Sequence, residues 1–317
     1  MINIVIIGVG GVGKRHLSSI MNSGIKKNIY CVDTNENALD AMTECRKNNV
    51  SLVKRIADLP RIKFDFALFS MTAKGRREMY DELVNHTKID NILFEKVLFQ
   101  KLDDYNHVLK DLEKRKINAW VNCARRQMDF YRNLQKRLEN SKYMEIHISG
   151  GEWGMACNMI HMLDMIAFIS KDKYIKIDKA EFLPLIKESK RPGYKEVYGV
   201  ILGSGEFLNS FSISCIPDCK VPEVIEIITE NERLVVREDL KKIFCFNEDN
   251  HYQEKEECIE IPYVSQMTQF VMEDIIESGT CRLTPFDESV SLHLMMLEPL
   301  MSFFEKNGME RGICPIT

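Results

Sequence analysis

The stretch Ile4-Val5-Ile6-Ile7-Gly8-Val9-Gly10-Gly11-Val12-Gly13-Lys14-Arg15-His16 constrains this chain more than any other. A β-branched run ends in G-x-G-x-x-G and an amphipathic segment follows at once. That strand–turn–helix context is where such glycines bind a dinucleotide. Gly8 permits the tight turn, Gly10 lets a pyrophosphate approach the backbone, and Gly13 lets the helix pack close to the strand. The helix opens with unpaired N–H groups and a partial positive charge, which suit a pyrophosphate. Gly8, Gly10, Gly11, Val12 and Gly13 are therefore expected to bind the cofactor. Ile29–Asp33 reads as the second strand, and the Asp33 carboxylate follows Gly13 at the distance, about twenty residues, that reaches the ribose hydroxyls of NAD. The same carboxylate would repel the extra phosphate of NADP, so NAD is expected over NADP. A glycine-rich turn without a ligand is the competing reading, and the joint register of strand, helix and Asp33 outweighs it.

The chain has 317 residues, room for two domains and a large core. A net charge of −4 argues against a nucleic-acid partner, which would leave a basic excess. No run of about eighteen apolar residues suggests a membrane span. The first strand starts at once, so no secretory leader is expected. The ten cysteines are scattered without a C-x-x-C pair, and they read as reduced thiols of a cytoplasmic protein with no metal site.

Strands and helices alternate over residues 1–121. Strands are expected at Ile2–Ile7, Ile29–Asp33, Ser51–Val53, Phe66–Ser70, Asn91–Phe94 and Ile117–Val121. Helices are expected near Lys14–Asn22, Asn37–Lys47, Gly75–Asn85 and Asp103–Lys116. That pattern implies an α/β fold, a doubly wound parallel Rossmann sheet with ligands at the strand C-terminal ends. Ser70-Met71-Thr72, Glu95-Lys96 and Asn122-Cys123 end three of those strands, and the first two sets are cofactor candidates. Residues 122–317 read as a second, α+β domain. It has helices at Met128–Asn140 and Trp153–Ile169, a strand at Tyr143–Ser149, and a run of strands from Ile177 to Ile261. Such a run suggests a large, mainly antiparallel open sheet with one face free. Closing helices follow near Gln266–Ser278 and Phe286–Glu305. Lys187–Tyr194 reads as a loop over the cofactor crevice, and the charged Glu254–Glu257 as a solvated hairpin turn.

Lys96 follows an apolar strand at the sheet edge, where partial desolvation would bring an amine toward acid–base range. A plain surface lysine is the alternative. On the helix Trp153–Ile169, Asn158, His161 and Asp164 interrupt an apolar pattern at i, i+3 and i+6, on roughly one stripe. His161 can shuttle a proton near neutral pH; a structural His–Asp hydrogen bond competes, and for Asp164 it is the better reading. Arg125 and Arg126 can bind a carboxylate or phosphate, or equally pair with acids such as Asp164 and Glu95. Tyr194 is a further substrate-binding candidate.

Together these residues resemble the Gfo/Idh/MocA family, named for glucose–fructose oxidoreductase, inositol dehydrogenase and a rhizopine-catabolism protein. Gly8 to His16 matches its G-x-G-x-x-G-x-x-H opening, Glu95-Lys96 its Glu-Lys-Pro motif, and His161-Met162-Leu163-Asp164 its H-x-x-D helix. The resemblance implies a catalytic, cofactor-contacting Lys96, an acid–base His161 beside a sugar, and a sheet domain that binds substrate and oligomerises through its open face. Three positions depart: Val97 stands in place of the proline, Ser70-Met71-Thr72-Ala73 in place of Ala-Thr-Pro-Asn, and Cys157 where many members carry an aspartate. Residues 121–126, 190–196 and 314–317 look like a branch associated with bacterial surface-polysaccharide and nonulosonic-acid genes.

The expected activity is hydride transfer between NAD and a sugar hydroxyl or ketone, on an activated or acidic sugar. Lys96 and His161 would handle the proton, and Asn158, Arg125, Arg126 and Tyr194 would contact the substrate. A homodimer or homotetramer is expected. Two other classes compete: a non-catalytic NAD-binding regulator, favoured by Cys157, and redox-neutral catalysis with retained NAD.

Overall fold

The structure, a computed structural model, describes residues 1–263 and 266–317. Its contacts group into two units. The first holds Met1–Ala124, Pro262–Val290 and Thr317, and the second Arg125–Ile261 and Ser291–Ile316. The single boundary expected after residue 121 therefore misses a return of the chain to the first unit.

The first unit opens as the apolar alternation predicts: β1 (Ile2–Ile7), α1 (Gly11–Asn22), β2 (Lys27–Val32), α2 (Glu36–Asp40), β3 (Val50–Val53), β4 (Phe66–Phe69), α3 (Arg76–His86), β5 (Asn91–Phe94), α4 (Leu102–Arg115) and β6 (Asn118–Val121). The strands pair in parallel in the order β6-β5-β4-β1-β2-β3. Their near-continuous apolar runs have a simple cause: β1, β4 and β5 are covered on both faces, as the sheet of a doubly wound fold must be. Full burial of a side chain such as Ile4 or Leu17 contributes about 1.5–3 kcal/mol. The helix expected at Asn37–Lys47 is instead the short α2 followed by a 3-10 turn over Thr43–Asn48. Asn35 caps α2 by accepting from the Asn37 N–H, and the Thr43 hydroxyl bonds back to the Asp40 carbonyl at its end.

In the second unit come α5 (Asp129–Leu138), β7 (Met144–Gly151), α6 (Met155–Ser170) and then β8 (Lys176–Glu188), β9 (Lys195–Ser204), β10 (Ser210–Ile216), β11 (Val224–Thr229), β12 (Glu232–Arg237), β13 (Lys242–Asn247) and β14 (Lys255–Cys258). They form an eight-stranded sheet ordered β14-β13-β12-β11-β7-β10-β9-β8, antiparallel except where β7 meets β10. Alternation along β7, β10, β11 and β12 buries one row of side chains and leaves the other row half-exposed, and α6 packs on β9, β10 and β7. Two expectations are corrected. The charge run at 254–257 contributes strand β14, whose Lys255–Glu257 and Lys242–Glu256 pairs keep an edge strand polar. Lys187 and Glu188 end β8, so only residues 189–194 form a loop, the turn of the β8–β9 hairpin.

The chain then adds α7 (Thr268–Ser278), β15 (Thr284–Pro285) and α8 (Phe286–Lys306). In the first unit α7 packs on α1, with Val271, Met272 and Ile275 joining Leu17 and Ile20 in one core. β15 pairs antiparallel with β6 and makes that sheet seven-stranded. Among the described residues no helix is long and apolar enough to cross a membrane.

Candidate functional site

The glycine loop has the shape its spacing predicts. Gly8 adopts φ +90, and a side chain there would meet the Met71 nitrogen at 2.7 Å. A Cβ on Gly13 would lie 2.1 Å from the Gly8 carbonyl, so helix α1 sits on the loop only because Gly13 has none. Gly10 and Gly11, by contrast, face open space. No side chain caps α1 and no acidic residue occupies its first turn, which leaves its N-terminal N–H groups for an anion. The Asp33 carboxylate accepts from the Val9 N–H at 2.8 Å and from the Asn35 N–H at 2.9 Å, fixing it beside the loop. Each oxygen retains a second lone pair for a ribose hydroxyl. Ser70 ties the next strand end to the loop by donating to the Gly8 carbonyl at 2.6 Å. Residues present thus fit a dinucleotide: an open glycine edge, a free helix end and an oriented carboxylate.

Ser70-Met71-Thr72, Glu95-Lys96 and Asn122 follow β4, β5 and β6, three neighbouring strands, so they share the C-terminal edge of the sheet. Glu95 is the hub there. It accepts from His16 Nε2 at 3.0 Å and from the Asn122 amide, and it keeps only 13% of its side chain exposed. Burial pushes its carboxyl up, but His16, Asn122 and the Lys96 charge outweigh burial and hold it down to about 2. Glu95 is therefore an anion at any physiological pH, and a carboxylate can only accept, so His16 Nε2 is the donor. His16 is fully buried, and Thr268 Oγ1 lies 2.7 Å from its Nδ1. Lys96 is half-buried beside this anion, and the Lys96–Val97 peptide, at the position of the missing proline, is cis.

In the second unit α6 is buried on nearly every side; Asn158, His161 and Phe168 are its half-exposed residues. Asn158 and His161 thus present one polar turn of an otherwise apolar helix, whereas Asp164, expected on the same stripe, is fully buried. Asn158 Nδ2 donates to the Trp153 carbonyl at 3.0 Å. Asp164 is fully buried and receives Arg126 Nε at 3.0 Å, with the guanidinium over the Phe168 ring. Cys157 is buried, its sulfur 3.7 Å from Ser189 Oγ.

Both arginines expected to hold an anionic substrate group are already on carboxylates. Arg125 donates to Glu238 through Nε at 2.9 Å and Nη2 at 2.7 Å, Tyr131 donates to the same carboxylate, and Glu223 lies 3.7 Å from Nη2. Burial pushes the Glu223 carboxyl up to about 7 against the pull of Arg125. For Glu238 burial raises and Arg125 lowers, and the net is down. Tyr194 is 8% exposed and closes the 189–194 turn, a packing position rather than a loop tip.

Arg76, at the start of α3, is fully buried and donates to the backbone carbonyls of Met71, Glu95, Val97 and Leu98, and like His16, Asn122 and Thr268 it carries structure that the sequence did not announce as functional. His16 ended the matched glycine motif, and Asn122 ended a strand, so each had a positional signal. Thr268, distant in sequence, and Arg76, one of several charges in a helical stretch, had none.

Residues 2–123 match the Gfo/Idh/MocA oxidoreductase family, described as having an NAD-binding Rossmann fold. No curated protein matches the sequence. Three solved structures share the fold over nearly the whole chain. The super-repressor mutant of Gal80p from Saccharomyces cerevisiae is 13% identical, with TM-score 0.74 over 96% of this chain and 95% of that one. UDP-N-acetylglucosamine 3-dehydrogenase GnnA from Acidithiobacillus ferrooxidans is 10% identical, with TM-score 0.71 over 94% and 96%. An oxidoreductase from Agrobacterium radiobacter, in complex with NAD+, L-tartaric acid and magnesium, is 12% identical, with TM-score 0.68 over 93% and 94%. At these identities the likeness is one of fold. Over residues 2–123 the chain thus matches the NAD-binding Rossmann fold of the Gfo/Idh/MocA oxidoreductase family.

Proposed function

We propose that the chain is a cytoplasmic NAD-dependent oxidoreductase acting on a hydroxyl or ketone of a sugar. The observation that carries the reading is Lys96, set beside an obligate anion at the sheet edge that also carries the glycine loop. Bound NAD supplies the hydride chemistry, and the protein supplies position and electrostatics. Lys96 Nζ takes the proton of a hydroxyl as the neutral amine during oxidation, and gives it back as the ammonium during reduction. His161 is the second proton-handling group, with Asn158 beside it to bind a hydroxyl. An anionic sugar group would have to compete with Glu238 for Arg125 and with Asp164 for Arg126. That competition favours a neutral ring carrying its charge elsewhere, as a nucleotide-activated sugar does. The fold likeness to a UDP-sugar dehydrogenase supports the same class.

The test is a panel of nucleotide-activated sugars and uronic acids, read by NADH formation, beside fluorescence titrations of NADH and NADPH. Turnover with an activated sugar and tighter NADH binding are expected, because Asp33 would face the adenosine ribose. Tighter NADPH binding, or turnover confined to uronic acids, would overturn those parts of the reading. The likeness to Gal80p, a repressor, together with Cys157, supports a second reading as a non-catalytic NAD-binding regulator. NADH binding without turnover on any sugar would favour it.

We also propose a homodimer through the half-exposed face of the eight-stranded sheet. Ile228, Val235, Phe244 and Phe246 lie on that face around the Glu226–Arg233 ion pair, a mixed patch that a second copy would cover. Light scattering should show a dimer, and Phe246→Lys should shift it toward monomer. A wild-type monomer at micromolar concentration would refute this.

A further inference from the structure

Among the largest fully buried side chains of the described residues is a charged one. Arg76, the first residue of α3, has no exposed surface. Its Nη1 donates to the carbonyls of Glu95 at 2.7 Å, Leu98 at 2.8 Å and Val97, and its Nη2 donates to the carbonyl of Met71. Three of those acceptors lie on the loop after β5 and bracket Lys96 on both sides. The fourth lies on the loop after β4, whose Met71 backbone is packed against Gly8. One planar fork therefore stitches the lysine loop to the loop that touches the glycine turn.

Burying a guanidinium strips it of water, and carbonyl dipoles only partly replace what is lost. An apolar residue would fill the space without that cost. What the arginine adds is geometry: five N–H donors in a rigid plane, enough to reach two loops at once, where a lysine ammonium is a single point. We propose that Arg76 is the positioning residue of Lys96, holding the 70–72 and 95–98 loops in one register and so fixing where the lysine ammonium stands. This rests on the reading of Lys96 as a proton-handling group. It assigns Arg76 no contact with substrate or cofactor.

The test uses chemical reactivity and needs no substrate. Wild type, Arg76→Lys and Arg76→Met, each loaded with NAD+, are treated with trace acetic anhydride at several alkaline pH values. Acetylation of Lys96 is read by peptide mass spectrometry against Lys176, an exposed lysine of the second unit. Freeing the loop changes both the solvation and the field of the amine. A shift of one pKa unit changes the free-amine fraction about tenfold, so Arg76→Met should move the Lys96:Lys176 ratio by about that factor. Arg76→Lys should move it in the same direction by less. If Arg76→Met does not fold, Arg76→Lys decides alone. An unchanged ratio in a folded variant overturns the proposal. So does an equal rise at Lys63 and Lys101, since that would be general loosening of the unit. Because labelling needs no turnover, a shifted ratio beside a fully active Lys96→Met would keep Arg76 as the anchor while removing Lys96 from the chemistry.

Discussion

Replacing Lys96 with Met is expected to lower turnover on the order of 10²–10⁴-fold while NADH affinity stays close to wild type. The two effects separate because the groups are separate. The proposed cofactor grip comes from the glycine loop after β1 and from Asp33 after β2, whereas Lys96 follows β5, with β4 between it and β1. A methionine keeps the length and packing of the lysine stem but removes the proton carrier and the positive charge beside Glu95. Glu95 keeps its bonds from His16 and Asn122, so the carboxylate stays partnered and the loop stays folded. His161→Ala is expected to cost less. The position one turn before His161 carries Cys157, and a thiol bonds an imidazole too weakly to orient it. Steady-state kinetics of both variants on the sugar found in the panel, beside NADH titration, decide the matter. Near-normal turnover in Lys96→Met would remove the lysine from the mechanism and strengthen the regulator reading.

What the sequence revealed and what it hid follow one physical line. Periodic, local features were readable: the β1 run and glycine spacing, the carboxylate after β2, the apolar strands, and the polar turn of α6 at Asn158 and His161. Each depends on neighbours within a few residues, where backbone geometry fixes which side chains share a face. Long-range partnerships were not. α7 and β15 return to the first unit from beyond residue 262, and nothing in their own pattern says which core they join. Glu238 meets Arg125 across 113 residues, so the pair left open in sequence as anion site or ion pair was settled only by folding. The edge strand β14 hid because its charges, which protect an edge, look locally like a turn. Arg76 hid for the opposite reason: a charged residue near a helix start reads as solvated, and only the tertiary structure buries it.

The second large effect concerns stability. Asp164→Ala is expected to destabilise the protein by about 3–5 kcal/mol, because it leaves the Arg126 guanidinium buried without its carboxylate. Asp164 is fully buried and Arg126 is 8% exposed, so water cannot take over the lost partner cheaply. The stacking of Arg126 on Phe168 holds the guanidinium in place and keeps it from swinging outward. For a unit of this size such a loss lowers the melting temperature by roughly ten degrees. The double variant Asp164→Leu with Arg126→Met should recover most of the loss, because a buried pair replaced by apolar residues of similar volume is often neutral or better. Denaturant melts of Asp164→Leu, Arg126→Met and their double variant form the cycle that separates the pair term from the packing term. Melts of Asp164→Ala discriminate the two roles open to Asp164. If the alanine variant melts like wild type yet loses turnover and the pH dependence of turnover, the carboxylate serves His161 rather than the frame. The burial of the pair and its 3.0 Å contact argue for the frame, and the melting curve is the quantity that must move.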